Sequence, residues 1–123
     1  MIRITRLTKS FSYAVKGLVK TFKEEQNLQI QSLAALAVIF LALVFQVSRF
    51  EWCLLVLVIG LVILTEIINS AIERTTDVLK PRINSYIKEI KDIMAAAVML
   101  ASLIAVIIGI MILGPYFVRL LKL

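Results

Sequence analysis

The sequence predicts an all-α integral membrane protein with one domain over residues 1–123. Hydrophobic residues make up 61% of the chain and its mean hydropathy is +0.98, a composition typical of membrane proteins and not of a soluble core. Three apolar stretches, at about residues 28–48, 52–73 and 92–117, have roughly the 20 residues that a helix needs to cross a bilayer. An amphipathic surface helix at about residues 5–26 precedes them.

The surface helix is predicted from apolar residues that recur at helical spacing after Ser10, a candidate N-cap. These residues are Phe11, Ala14, Val15, Leu18, Val19 and Phe22. Lysines occupy the other side, so we expect the helix to lie in the cytoplasmic interface, where anionic head groups attract it. Glu24 and Glu25 are unfavourable beside an anionic leaflet unless a cation or a partner requires them.

The first two spans form an antiparallel hairpin through a tight connection that ends at Trp52, a residue typical of the interfacial aromatic belt. Because Pro81 cannot donate a backbone hydrogen bond, we expect the second span's helix to break near Lys80, with a loop over about residues 78–85. The third span starts near Lys91.

Small residues repeat every fourth position along the third span, at Ala97, Ala101, Ala105 and Gly109. This spacing predicts a close-packing seam, either within one protomer or between protomers.

The distribution of positive charge sets the predicted orientation. Six Lys and Arg residues precede the first span, one lies in the first connection, five lie between residues 74 and 91, and two follow the third span. The excess places the N-terminus and the second loop in the cytoplasm.

The end of the second span carries one polar face in an apolar helix. Glu66, Asn69, Glu73 and Asp77 fall within a sector of about 80°. A carboxylate at the membrane boundary costs about 2–3 kcal/mol, so it is a functional candidate unless the helix simply ends in water there. That alternative remains open for Glu73 and Asp77, whereas Glu66 has apolar neighbours on both sides along the chain.

The residue inventory excludes several chemistries. The chain has no His, which excludes Ser-His-Asp hydrolysis and His phosphotransfer, and it lacks the glycine patterns of a P-loop or a dinucleotide fold. The lone Cys53 has no partner for an intrachain disulfide. Acid–base or metal chemistry therefore falls to Asp and Glu, whose hard oxygens suit Mg²⁺.

Motifs in four parts of the chain, in this order and spacing, resemble the bacterial diacylglycerol kinase and undecaprenol kinase family. They are Tyr13-x-x-Lys16-Gly17-Leu18, Glu24-Glu25-x-Asn27, Glu66-x-x-Asn69-Ser70-Ala71-Ile72-Glu73-x-x-x-Asp77, and Lys91-Asp92 before an Ala-rich span. The resemblance implies a homotrimer in the bacterial inner membrane that transfers the γ-phosphate of ATP, with Mg²⁺, to a lipid hydroxyl. The lipid would be undecaprenol, or alternatively diacylglycerol, with no nucleic-acid partner.

The resemblance also implies roles for individual residues. Glu66 would be the general base, Asn69 an amide that organises the site, and Lys91 a contact to the phosphates. The metal ligands would be Glu25 and Glu73, and the nucleotide contacts would be Asp92, Arg6 and Tyr13.

Some positions depart from the family pattern. Arg82, Ile83 and Asn84 stand where members often have an acidic residue and a Tyr-His pair, which affects part of the expected nucleotide pocket. Gln31 replaces a His of the undecaprenol branch, and Ala96 replaces a frequent Gly. From sequence, Gln31 could be an interfacial amide or a contact to lipid head groups.

A rival hypothesis is a non-catalytic membrane oligomer or a pore lined by the acids. The kinase is favoured because a pore needs neither Lys91-Asp92 at its mouth nor a basic surface helix that carries Glu25. Three helices are too thin to shield a row of acids from lipid, so we expect sites shared between subunits, with the base and the metal ligand from different chains. The surface helix could fold over its own second span or a neighbour's.

Overall fold

The computed structural model describes residues 1–79 and 84–122, and all the regular secondary structure in this part is α-helical. The helices are α1 (Ile4–Glu24), α2 (Gln26–Phe45), α3 (Arg49–Leu79) and α4 (Asn84–Leu121). Helices α2 and α3, and α4 from Ser85 onward, are long and apolar enough to cross a membrane. The prediction of an all-α protein with three candidate spans is confirmed.

Helices α1 and α2 are separated by one residue, Glu25, whose backbone is extended (φ −103°, ψ 108°). Its N–H donates to Thr21 O at 2.9 Å, and its carbonyl accepts from Gln29 N at 3.2 Å. One residue thus closes the last turn of α1 and opens α2 without losing a backbone hydrogen bond. Gln26 and Asn27 form the first turn of α2, so the first membrane helix begins about two residues before the predicted span.

Helix α1 contacts α2 and α3, yet it contains no buried residue. Its aromatic and aliphatic side chains, among them Phe11, Leu18 and Phe22, are exposed in the single chain. The helix therefore extends away from the bundle that α2, α3 and α4 form.

The connection between α2 and α3 is fixed by local hydrogen bonds. Gln46 ends α2 in the left-handed conformation (φ 51°), and Val47 N donates to Ala42 O at 3.2 Å. Ser48 and Glu51 form a reciprocal cap at the start of α3: Glu51 N donates to Ser48 Oγ at 3.2 Å, and Ser48 N donates to Glu51 Oε2 at 2.9 Å. This short turn makes α2 and α3 neighbours in the bundle.

Helix α4 is tied to this connection at the same end. The Tyr116 hydroxyl donates to Glu51 Oε2 at 2.7 Å, and its ring stacks on Phe45 with centroids 5.5 Å apart. The main buried cluster also lies here, formed by Ala42, Val47, Leu55, Ile112 and Leu113. Leu55 precedes Glu66 by eleven residues on α3, so the core lies about 16 Å from the polar face.

The helices extend further than the apolar spans. Helix α3 runs to Leu79 and α4 already begins at Asn84, so the ends of the predicted loop over residues 78–85 are helical. The predicted break near Lys80 and the substitutions Arg82 and Ile83 lie outside the described residues. With 38 residues, α4 is about 57 Å long against a hydrocarbon core of about 30 Å, so hydropathy marks the span but not the helix ends.

The small-residue seam of α4 is only partly a packing surface within the chain. Ala101 is buried, but Ala105 and Gly109 line a cavity between α2, α3 and α4. A Cβ atom placed on Gly109 would meet nothing within 4 Å. At that level the small side chains leave space between the helices.

Candidate active site

An apolar cavity of about 480 Å³ lies between α2, α3 and α4. Its walls are almost entirely aliphatic, with Val38, Val58, Val62 and Ile110 among the lining residues. This volume is in the range of about 300–1,000 Å³ that is usual for small-molecule sites. Walls of this chemistry accept hydrocarbon.

A carboxylate and an amide lie together beside this cavity. Glu66 is 1% exposed, and Nε2 of Gln31, which lines the cavity, donates to Glu66 Oε2 at 3.2 Å. Gln31 Oε1 is buried and has no hydrogen-bond partner within the described part of the chain. A buried polar atom without a partner is costly, so it marks a place where a further donor can bind.

Glu25 lies against α3 one turn beyond Glu66. Ser70, which is 2% exposed, donates its hydroxyl to Glu25 Oε1 at 2.8 Å. Arg74, one more turn along, reaches Glu24 Oε2 at 2.7 Å and Glu25 Oε1 at 3.6 Å. A single chain thus brings Glu25 and Glu66 to one face of α3, and only the C-terminal end of the surface helix contacts its own second span.

The remaining candidates on α3 and α4 continue along this face. Asn69 and Glu73 are partly buried on α3. Lys91 Nζ of α4 donates to Asp77 Oδ1 of α3 at 2.7 Å, while Asp92 is exposed. Asp77 follows Glu66 by eleven residues, so Lys91 lies about 16 Å further along α3 than the buried carboxylate.

The two candidates on α1 are far from this face in the same chain. Arg6 and Tyr13 are exposed, and the Tyr13 ring lies 5.9 Å from Lys16 Nζ of its own helix. Arg6 precedes Glu25 by 19 residues, or about 28 Å along a helix, and Tyr13 by 12 residues, or about 18 Å. No described contact brings either residue to Glu66.

The chemistry of the donor set fits Mg²⁺ with a bound nucleotide. Among residues 1–79 and 84–122, no three His, Cys, Asp or Glu side chains form a group that could hold a metal ion. Glu25 contacts Ser70, which lies three residues before Glu73 on the same helical face. Mg²⁺ commonly takes one or two carboxylates and completes its shell with substrate phosphates and water, so a pair suffices.

Sequence reasoning missed three members of this arrangement. Gln31, Ser70 and Arg74 were not among the predicted site residues, although each bonds to a carboxylate of the site or its neighbour. A usable signal was present on α3, since Ser70 and Arg74 follow Glu66 at steps of four residues and share its face. Gln31 was noted only as a departure from the family pattern, and helical spacing could not pair it with Glu66 because it lies on another helix.

Comparison with known proteins identifies the family. The family model described as prokaryotic diacylglycerol kinase matches residues 12–113. The chain belongs to this family. It is therefore an ATP-dependent lipid kinase embedded in a membrane, which confirms the resemblance read from the motifs.

Curated relatives of this lipid kinase cover most of its length. An undecaprenol kinase of Bacillus subtilis is 35% identical over 112 residues, which are 91% of each chain. A diacylglycerol kinase of Escherichia coli is 31% identical over 113 residues, 92% of this chain and 93% of the relative. A diacylglycerol kinase of Helicobacter pylori is 33% identical over 115 residues, 94% and 87% of the two chains.

The hydrogen bond from Gln31 predicts a measurable effect on the lipid kinase. In a Gln31→Met variant, Glu66 loses its donor while the side chain keeps nearly the same size. Because hydrogen bonds to charged groups are worth about 1.5–3 kcal/mol, we expect turnover to fall by about 10- to 100-fold. Gln26→Met changes an exposed glutamine of the same helix and is the matched control. Equal turnover in both variants would contradict a role for the Gln31 amide.

Proposed function

We propose that this lipid kinase transfers the γ-phosphate of MgATP to the hydroxyl of undecaprenol at the cytoplasmic face of the bacterial inner membrane. The observation that carries the proposal is the buried Glu66 carboxylate, held by Gln31 beside an aliphatic cavity. A lipid alcohol whose chain occupies the cavity would have its hydroxyl near Gln31, one of the polar side chains in the wall.

Glu66 is the general base in this proposal. A base must lie within hydrogen-bond reach of the proton that it removes, and here the apolar walls bring the hydroxyl to the carboxylate. The Gln31 amide donates to Oε2 of Glu66. The other carboxylate oxygen, Oε1 of Glu66, is then the atom that accepts the hydroxyl proton. Asn69, three residues further along the same face of α3, organises the groups around the phosphate.

The charged groups beyond Glu66 bind the other substrate. Phosphoryl transfer depends mainly on positioning and on neutralising phosphate oxygens. Glu25 and Glu73 would hold Mg²⁺, which supplies charge neutralisation when it is bound together with the nucleotide. Lys91 releases Asp77 to contact the phosphates, and Asp92 contacts the nucleotide from the next position on α4.

The choice of undecaprenol rests on identity and on cavity chemistry. The relative named undecaprenol kinase is 35% identical and the Escherichia coli diacylglycerol kinase 31%. An isoprenoid alcohol has no polar group besides its hydroxyl, which suits walls in which Gln31 and Ser102 are the polar side chains. A diacylglycerol would bring two ester groups into this apolar surface, and it is the second candidate because several relatives carry that name.

The active assembly in this proposal is a homotrimer with shared sites. Helix α1, amphipathic by sequence, lies in the cytoplasmic interface and extends away from its own bundle. Its length carries Arg6 about 28 Å from Glu25, far enough to reach a neighbouring subunit. Each site then takes Glu25, Glu66, Glu73 and Lys91 from one chain, and Arg6 and Tyr13 from the next.

A lipid panel tests the substrate. Purified protein is given γ-labelled ATP and either undecaprenol or dioleoylglycerol in mixed micelles, and kcat/KM is measured for each lipid. Burying an ester carbonyl without a partner costs about 1–3 kcal/mol, so we expect undecaprenol to be preferred by at least about fivefold. A preference for dioleoylglycerol would replace undecaprenol with the second candidate.

The base assignment predicts a separation of chemistry from binding. Glu66→Gln keeps the shape of the side chain but cannot accept a proton, so we expect turnover to fall by about 10²- to 10⁴-fold. Binding of a MgATP analogue, measured by calorimetry, should stay at the wild-type level. Glu89→Gln, an exposed site on α4, is the matched control. Near wild-type turnover of Glu66→Gln at saturating lipid would refute the assignment.

Subunit mixing tests the shared site. Chains with Arg6→Ala and Tyr13→Ala are co-assembled with Glu66→Gln chains, each being inactive alone. We expect activity to return, because an intact α1 then meets an intact Glu66 at some interfaces. Mixing Glu25→Gln with Glu66→Gln chains is the contrast: both residues serve one site from one chain, so no activity should return. If activity returned in the mixture of Glu25→Gln and Glu66→Gln chains, or failed to return in the first mixture, this assignment of site residues to chains would be rejected.

A further inference from the structure

Two neighbouring carboxylates at the end of α1 have different partners on α3. Arg74 NH2 lies 2.7 Å from Glu24 Oε2 but 3.6 Å from Glu25 Oε1. Ser70 donates to Glu25 Oε1 at 2.8 Å, and Arg74 Nε in turn approaches Ser70 Oγ at 3.5 Å. The cation is therefore hydrogen-bonded to Glu24, and the neutral hydroxyl to Glu25.

This difference determines which carboxylate is available to a metal ion. Glu24 is engaged by a full positive charge at short range, and a divalent cation would have to displace the guanidinium to bind it. Glu25 accepts one neutral hydrogen bond on Oε1 and has only the longer ion pair with Arg74, at 3.6 Å, so it is held less tightly than Glu24, and its Oε2 has no described hydrogen bond. Because Ser70 is 2% exposed, its hydroxyl cannot turn away to water.

We propose that Ser70 and Arg74 are positioning residues that select Glu25, and exclude Glu24, as the carboxylate that binds Mg²⁺. Ser70 fixes the rotation of the Glu25 carboxylate, and Arg74 withdraws the competing carboxylate one residue earlier. Hydrogen-bond partners of metal ligands commonly orient them in this way. The inference rests on the proposed role of Glu25 as a metal ligand.

The ion pair between Arg74 and Glu24 is better suited to choosing the carboxylate that binds the ion than to stabilising the fold. Arg74 and Glu24 have side chains that are 44% and 49% exposed, and ion pairs with this exposure contribute little to folding. Replacement of Arg74 should therefore change which carboxylate binds the ion while thermal unfolding stays close to that of the wild type. A purely structural role predicts the reverse.

The test measures metal binding directly. Mn²⁺ replaces Mg²⁺, a non-hydrolysable ATP analogue supplies the phosphates, and free Mn²⁺ is followed by electron paramagnetic resonance in zwitterionic detergent. In the wild-type background we expect Glu25→Gln to raise the Kd for Mn²⁺ by more than about tenfold. The matched Glu24→Gln variant should leave the Kd unchanged.

The Arg74→Gln background should abolish this contrast. With Glu24 released, adding Glu25→Gln should raise the Kd by no more than about threefold, which is well below the range of about 10- to 100-fold typical of lost ligand partners. Arg74→Lys keeps the charge and should preserve the wild-type contrast. Ser70→Ala should raise the Kd by about tenfold, while Ser70→Thr, which retains the hydroxyl, should not.

The outcomes separate two failures. If Glu25→Gln leaves Mn²⁺ binding unchanged in the wild-type background, the metal role of Glu25 is wrong and the inference falls with it. If Glu25→Gln weakens binding equally with Arg74 present or replaced, Glu25 is a ligand but Arg74 does not select it. Unchanged binding in a folded Ser70→Ala variant would remove Ser70 from the proposal.

Discussion

The burial of the Glu66 carboxylate is the constraint on which the rest of the structure depends. A carboxylate that is 1% exposed within apolar helices persists only with a polar partner and without lipid contact. Gln31 supplies the partner from α2, and α4 closes the third side of the bundle. The cavity beside it has aliphatic walls that leave space for hydrocarbon.

The two ends of the bundle are held by different kinds of contact. At the hairpin end, the Ser48 and Glu51 cap, the Tyr116 hydroxyl and the buried cluster around Leu55 hold α2, α3 and α4 together. At the other end, hydrogen bonds and ion pairs also join the elements: Ser70 with Glu25, Arg74 with Glu24, and Lys91 with Asp77. The charged groups that are proposed to exchange partners with a nucleotide and an ion thus lie apart from the buried cluster at the hairpin end.

Much of this could be predicted from the sequence, because the membrane and the helical period leave few choices. Hydropathy gave three spans, and the period of α3 placed Glu66, Asn69 and Glu73 on one face. Contacts between helices could not be predicted in this way. The hydrogen bond from Gln31 to Glu66 joins residues 35 positions apart, and the one from Ser70 to Glu25 joins residues 45 positions apart. Helical periodicity relates only residues on the same helix, so it cannot predict such pairs. The ends of α3 and α4 were misjudged because a helix continues in water after its apolar run stops.

Glu25 joins two functions in one residue, since the carboxylate proposed to bind the ion belongs to the only non-helical residue between α1 and α2. The direction of α1 therefore depends on one pair of backbone angles, and a straight helix acts on that joint as a lever arm. Over the roughly 28 Å from Glu25 to Arg6, a rotation of about 20° at the joint displaces the far end by up to about 10 Å. Small changes in the backbone angles of Glu25 are in this way magnified into large changes in where the N-terminal end of α1 lies.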